Sequence, residues 1–141
     1  MIWKVIPELD ALNNFNQNTL VSQMGIEIIE IGLDFIKAKM PVDRRTCQPL
    51  GLLHGGASVV LSESMGSIAS WLVLGDAAKS IVGVEVNANH LKSANKGFVY
   101  SVTKPIKIGR TLHIWNTEIY DANDNLLCVS RLTTMIIDRV N

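Results

Sequence analysis

Gln48-Pro49-Leu50-Gly51-Leu52-Leu53-His54-Gly55-Gly56-Ala57-Ser58-Val59-Val60-Leu61-Ser62-Glu63-Ser64-Met65-Gly66-Ser67 is the stretch that decides how this chain reads, because it feeds a His-Gly-Gly turn into an apolar run carrying a single carboxylate. From Gly56 to Leu74 the run has helix length. It opens on small residues able to cap a helix or approach a ligand closely, and it meets Gly75 where a helix would end. Its apolar residues, Ala57, Val59, Val60, Leu61, Met65, Ile68, Ala69, Trp71, Leu72 and Val73, surround the axis, the pattern of a helix covered on most sides by protein. This helix is therefore expected to be the core of the fold. Glu63 then needs an explanation, since a charged carboxylate in such surroundings costs several kcal/mol or raises its pKa unless it is partnered, an arrangement found where chemistry needs it. The plain alternative is a glutamate facing water among serines.

The chain has 141 residues, enough for one domain (1–141) with one real core and short of two. Thirteen basic residues balance thirteen acidic ones, so no overall field favours nucleic acid or an anionic membrane surface, and an anionic partner must be held by a local cluster. The opening Met1-Ile2-Trp3-Lys4-Val5-Ile6-Pro7-Glu8 lacks the basic region, apolar run and cleavage site of a secretion signal, so a cytoplasmic location is expected. The segment from Leu50 to Leu74 approaches spanning length but carries His54, Glu63 and several serines, which rejects a membrane reading. Cys47 and Cys128 make no metal-ligand spacing and read as two free thiols in a reducing compartment, with no metal site and no cofactor. A Cys47–His54 nucleophile pair rests on sequence proximity alone. A serine-esterase turn of the Gly-x-Ser-x-Gly type and a phosphate-binding glycine loop are both absent.

Glu8 to Met24 reads as one or two short helices, a candidate lid. Alternation from Gly25 to Val42 gives a hairpin closed by Pro41, and Asp43 to Leu53 is a loop delivering the chain to the long helix, with Gln48 and His54 near its ends. Four strands follow, at Ile81–Leu91, Phe98–Ile108, Thr111–Tyr120 and Leu126–Ile137, read as an antiparallel meander. The expected class is α+β, a curved antiparallel sheet with one long helix against its concave face. Strict alternation would put Val82, Val84, Val86, Ala88 and His90 on one face of the first of these strands, and Gly83, Glu85, Asn87 and Asn89 on the other. Asn87, Asn89, His90, Lys92, Ser93 and Lys96 read either as an ordinary turn entry or as a phosphate or pantetheine contact zone, to which Arg110 after Gly109 could add a planar donor fork.

Met1-Ile2-Trp3-Lys4, Met40-Pro41-Val42-Asp43, Arg45-Thr46, Gln48-Pro49, Gly51 to Val59, Asn87-Ala88-Asn89-His90 and Ser130-Arg131-Leu132-Thr133-Thr134 resemble the single-domain hotdog-fold acyl-CoA thioesterases of the 4-hydroxybenzoyl-CoA and phenylacetate-degradation type. The flanking words point to a branch acting on an aromatic acyl-CoA in menaquinone synthesis. The resemblance implies that Glu63 is nucleophile or general base at the thioester carbonyl, two roles the sequence leaves open. It further implies that Gln48 bonds near the thioester, His54 helps orient the acyl-CoA, the Gly55 N–H polarises the carbonyl oxygen, and Ser67 holds the water or the carboxylate. Coenzyme A, part of the substrate, would meet His90, Lys92, Ser93, Gly109 and Arg110. Lys92 stands where an arginine is expected, which weakens bidentate phosphate binding there. Val59, Val60, Met65, Ile68 and the N-terminal apolar residues are candidates for the acyl pocket. A homo-oligomer, a dimer or a tetramer built as a dimer of dimers, is implied, with the site between protomers. The rivals are a hydratase or dehydratase of the same fold and a noncatalytic acyl-CoA-binding protein.

Overall fold

Period-two alternation and one long apolar helical run translate directly into the elements of the computed structural model, which describes residues 1–139. In chain order they are α1 (Leu9–Phe15), α2 (Leu20–Gln23), β1 (Glu27–Ile31), β2 (Ile36–Pro41), α3 (Gly55–Leu74), β3 (Lys79–His90), β4 (Phe98–Ile108), β5 (Leu112–Asp121) and β6 (Leu126–Asp138). The six strands form one antiparallel sheet in the order β1-β2-β4-β5-β6-β3, and α3 packs against every strand from β2 to β6. This is the α+β architecture expected from the sequence.

The meander is only partly realised. β4, β5 and β6 follow it, but β3 pairs with β6, from Lys79↔Asp138 to His90↔Cys128, and so becomes the far edge, while β4 pairs with β2. The segment between β3 and β4 has the composition of a hairpin turn, yet its backbone is committed elsewhere. The Leu127 carbonyl accepts from the N–H groups of Leu91 and Lys92 at 2.7 and 3.3 Å, and Leu53 donates to the Ala94 carbonyl at 2.7 Å, so the segment passes beside the start of α3.

α3 lies on the sheet through small residues. Its buried positions are Ala57, Ser58, Leu61, Ser62, Met65, Gly66, Ala69, Ser70, Leu72 and Val73. At Gly66 a Cβ would come within 2.5 Å of Leu132 Cδ2, so only glycine lets the helix axis approach β6 this closely. Three buried polar groups here are paired with one another: Trp115 Nε1 donates to Ser70 Oγ at 2.7 Å, and Ser70 Oγ meets Thr134 Oγ1 at 2.8 Å, whereas the buried Ser62 hydroxyl has no partner among the described residues. Trp3 stacks on Trp115 with centroids 6.2 Å apart. The N–H groups of Lys4 and Val5 donate to the Leu72 carbonyl, which closes the C-terminal end of α3, and Gly75 caps that end in the left-handed region at φ 56°.

The opposite side of α3 is only partly covered. Val59, Val60, Glu63, Ser64, Ser67 and Ile68 are half-buried, and Trp71 is 45% exposed. Apolar residues surrounding the axis therefore do not mean a helix enclosed by its own chain. Although α3 is long and apolar enough to cross a bilayer, 56% of its most apolar window is buried inside the fold, as in a core helix.

Removing the Ser70 hydroxyl orphans the buried Trp115 N–H and one bond of Thr134, so Ser70→Ala should destabilise the fold by about 1–3 kcal/mol in chemical denaturation. His113, buried edge-on against Trp115, has its pKa pushed down by desolvation, opposed in part by the Gly109 backbone. The unfolded chain therefore takes up the proton more readily, and stability present above the ordinary value of 6.5 is lost as pH falls through the lower folded-state value. The acid limb of stability against pH should be shallower in His113→Phe, and an unchanged limb would count against this assignment.

Candidate active site

The loop after β2 is built to deliver His54. Buried Thr46 donates its hydroxyl to the Pro41 carbonyl at 2.6 Å, and its own carbonyl accepts the His54 N–H at 2.8 Å. Before it, the Arg45 side chain pairs with Asp43 at 2.7 Å and, with the Arg45 backbone N–H, holds that carboxyl down at about 2. Gln48 closes the turn that follows: its side-chain oxygen accepts the Leu50 N–H, and its N–H donates to the Leu52 carbonyl at 2.8 Å.

His54 is the N-cap of α3, with Nδ1 accepting the Gly56 N–H at 2.8 Å. An accepting Nδ1 places the proton of the neutral ring on Nε2. Both following glycines are required by close approach: a Cβ on Gly56 would come within 2.9 Å of His54 Nδ1, and one on Gly55 within 2.8 Å of His90 Nε2. Of the first N–H groups of the helix, that of Gly56 is taken by His54 and that of Ala57 by the His54 carbonyl at 2.9 Å. The N–H of Gly55 has no acceptor among the described residues, leaving it free at the positive end of the helix dipole. It opens into a cavity of about 400 Å³ that Gln48, Gly55, Ser58, His90, Lys92 and Ser93 help to line. Five of the residues singled out in the sequence are thus brought together, while the His54 ring is committed to its cap and does not line this cavity.

Glu63 stands elsewhere. It lies eight residues along α3 from Gly55, about 12 Å at 1.5 Å per residue, with its carboxylate beside Gly83 of β3. Its carboxylate is half-buried and forms none of the ion pairs among the described residues, which join Lys37–Glu30, Lys39–Glu27, Arg45–Asp43 and Lys79–Asp138. Ser67 and Ile68, the next turn of α3, line an apolar groove of about 360 Å³ with Leu12, Phe15, Trp71 and Ile81. Met65 takes no part in it: that side chain is fully buried against the sheet. Gly109 and Arg110 are also apart from the His90–Ser93 cluster. Their turn sits beside Ile136 through the Thr111 carbonyl, whereas His90 is opposite Cys128, about 26 Å away along β6. A single chain therefore holds these residues in two separate regions. Among the described residues no group of three or more His, Cys, Asp or Glu side chains comes together to hold a metal ion.

Gly83 was not foreseen as part of this site. A β-bulge between Gly83 and Glu85 breaks the strict alternation of β3, so Gly83 faces α3 together with Val86, Ala88 and His90 instead of opposing them. A glycine inside a strand was the available signal.

The sequence profile described as "Thioesterase superfamily" matches residues 50–128. The chain is 48% identical over 97% of its length, and 100% of the relative's, to the 1,4-dihydroxy-2-naphthoyl-CoA hydrolase of Escherichia coli. It is 44% identical over 97% of its length, and 99% of the relative's, to the proofreading thioesterase EntH of Cronobacter turicensis. In structure it is similar to a crystallised thioesterase of Haemophilus influenzae, with a TM-score of 0.96 and 45% identity over 100% of this chain and 98% of the other.

Because the His54 ring occupies the cap, His54→Ala should lower the melting temperature, by an amount equivalent to roughly 0.5–2 kcal/mol, and His54→Asn should restore much of it. Equal melting temperatures for the wild type and the alanine variant would show the cap to be dispensable.

Proposed function

The chain belongs to the thioesterase superfamily and is a thioester hydrolase of hotdog fold, and from that premise we propose that it hydrolyses an aromatic acyl-CoA, foremost 1,4-dihydroxy-2-naphthoyl-CoA of menaquinone synthesis, to the free acid and CoA. The observation that carries the reading is the division of labour along α3. The free N–H of Gly55 lies beside a cavity of mixed lining, while a carboxylate outside any ion pair among the described residues, Glu63, stands one helical turn before Ser67 and Ile68 of a largely apolar groove.

Thioester hydrolysis needs both ends at one carbonyl. As general base, Glu63 takes a proton from water as its oxygen attacks the carbonyl carbon, the Gly55 N–H stabilises the developing oxyanion, and collapse breaks the C–S bond, CoA leaving with the proton returned by Glu63. As nucleophile, the carboxylate attacks directly, expels CoA thiolate and forms an anhydride that water then hydrolyses. Either route requires the carboxylate and the N–H to converge on one carbonyl group, which the distance along α3 forbids within one chain.

A second copy supplies the missing half. β3 is twelve residues long and is an edge strand with one side unpaired, and Val84 on it is 56% exposed. A two-fold axis joining two β3 strands antiparallel reverses one chain against the other. The Gly55–His90 end of each copy then meets the Glu63–Ser67–Ile68 region of its partner, and Arg110 of one approaches His90, Lys92 and Ser93 of the other. In that arrangement the aryl group enters the Ile68 groove and the CoA phosphates meet the cationic cluster. A dimer is the minimum unit, and a dimer of dimers extends it. Two free cysteines, with the Cys128 thiol pushed up by burial, suit a reducing cytoplasm. The similarity to a proofreading thioesterase makes other aromatic thioesters the substrates to compare.

Thiol release should be fastest with 1,4-dihydroxy-2-naphthoyl-CoA in a panel including benzoyl-CoA and aliphatic acyl-CoA, and Glu63→Gln should reduce it by about 10²–10⁴-fold. Mixing two inactive variants, Glu63→Gln and Gln48→Ala, should regain part of the activity if each active centre draws on two chains. Turnover undiminished in Glu63→Gln would move the assignment to a different reacting group. No recovery on mixing, with subunit exchange confirmed, would place the whole site in one chain.

A further inference from the structure

Gly83 has no backbone reason to be glycine. The glycines in the left-handed region are Gly25, Gly51, Gly75 and Gly97, and Gly83 is not among them. It sits in the middle of β3, where a glycine weakens a strand and leaves nothing to pack. Its cross-strand neighbour Thr134 is fully buried and bonded to Ser70 of α3, so the face that Gly83 leaves bare is the face toward the helix.

What fills the bare space is Glu63 alone. A Cβ built on Gly83 would lie 2.5 Å from Glu63 Oε1 and 3.7 Å from Glu63 Cδ, with no other atom within 4 Å beyond the adjoining residues of the strand. The bulge makes this possible. In a regular strand, with Val86, Ala88 and His90 turned to α3, Val84 would take the helix-facing place and its side chain would occupy the space of the carboxylate. The extra residue turns Val84 out to solvent, where it is 56% exposed, and presents the bare backbone of Gly83 instead.

We propose that Gly83 is a positioning residue for Glu63: together with the bulge at Val84 it forms a rest on β3 that fixes where the carboxylate stands along the acyl groove. This rests on the reading of Glu63 as the reacting carboxylate. A methyl group at Gly83 would have to move Oε1 from 2.5 Å to at least the 3.4 Å of ordinary contact, close to 1 Å. A displacement of that size in a reacting group lowers turnover by about 10²-fold. The atom displaced is the far end of a flexible side chain, so the carboxylate gives way and the backbone stays.

The test compares wild type, Gly83→Ala, Glu63→Asp, Glu63→Gln and the double variant Gly83→Ala/Glu63→Asp in steady-state thiol release, with melting temperatures alongside. Gly83→Ala is expected to fold, to lose about 10–10²-fold in kcat and to keep KM within about threefold. Aspartate withdraws the carboxylate from the rest, so the double variant should be no slower than Glu63→Asp alone. Wild-type kcat in Gly83→Ala, or two losses that simply multiply in the double variant, would overturn the proposal while Glu63→Gln remained inactive. An active Glu63→Gln would overturn the functional reading itself and this positioning role with it. If Gly83→Ala lowers the melting temperature, the drop must disappear in a Glu63→Ala background, because only the carboxylate stands in the way of the methyl group; a drop that persists there also overturns the proposal.

Discussion

The structure depends on how α3 is seated on the sheet. Gly66 lets the helix settle onto Leu132, and Ser70 ties it to Trp115 and Thr134 through hydroxyl bonds of 2.7 and 2.8 Å. Apolar burial alone would let such a helix slide or roll at little cost, because it is non-directional. The buried polar bonds are directional, and an unpartnered indole N–H inside the core costs more than the bond contributes when made. Axial register is therefore set at Ser70 and Gly66. From that register follow the other approaches of α3 to β3: Gly55 over His90, Glu63 over Gly83 and Ile68 near Ile81.

Around the His-Gly-Gly turn, the same residues carry both the support and the proposed chemistry. His54 spends its Nδ1 on the Gly56 N–H, and in doing so it leaves the Gly55 N–H as the unsatisfied donor of the first turn. Thr46 and the Asp43–Arg45 pair fix the chain just before it. The stretch from Met40 to Thr46 thus acts through the position of the helix start, without facing either of the two regions.

Much of this was legible in the sequence. The ends of α3 were marked by the His-Gly-Gly turn and Gly75, the hairpin by alternation and Pro41, and the residues grouped around Gly55 by their words. Two features were not legible, each for a physical reason. The pairing of β3 with β6 is decided by where the Leu91–Gly97 backbone finds its partners, Leu127 and Leu53, which are distant in sequence. The bulge at Val84 leaves no mark except an interior glycine, and one extra residue inverts the facing of everything before it. The separation of Arg110 from His90, by contrast, was implicit in the strand lengths: the 11 residues of β4 carry the chain to the other end of the sheet before Gly109, whichever strand β3 pairs with.

The open side of α3 is the remaining lesson. Ten apolar residues spread around a helix axis read as a helix enclosed by protein, yet this chain covers only one side and leaves Trp71 in solvent. The unpaired edge of β3 and the distance between Glu63 and Gly55 are two further deficits of the isolated chain. An exposed edge of that length invites pairing, a half-bare apolar helix face seeks cover, and on the proposed mechanism a carboxylate two helical turns from the Gly55 N–H cannot complete a hydrolysis. In the proposed dimer one two-fold operation along β3 answers all three, since it pairs the edge and brings a second copy against the helix. On that proposal the apolar pattern of α3 is the pattern of a helix covered by a second copy as well as by its own sheet.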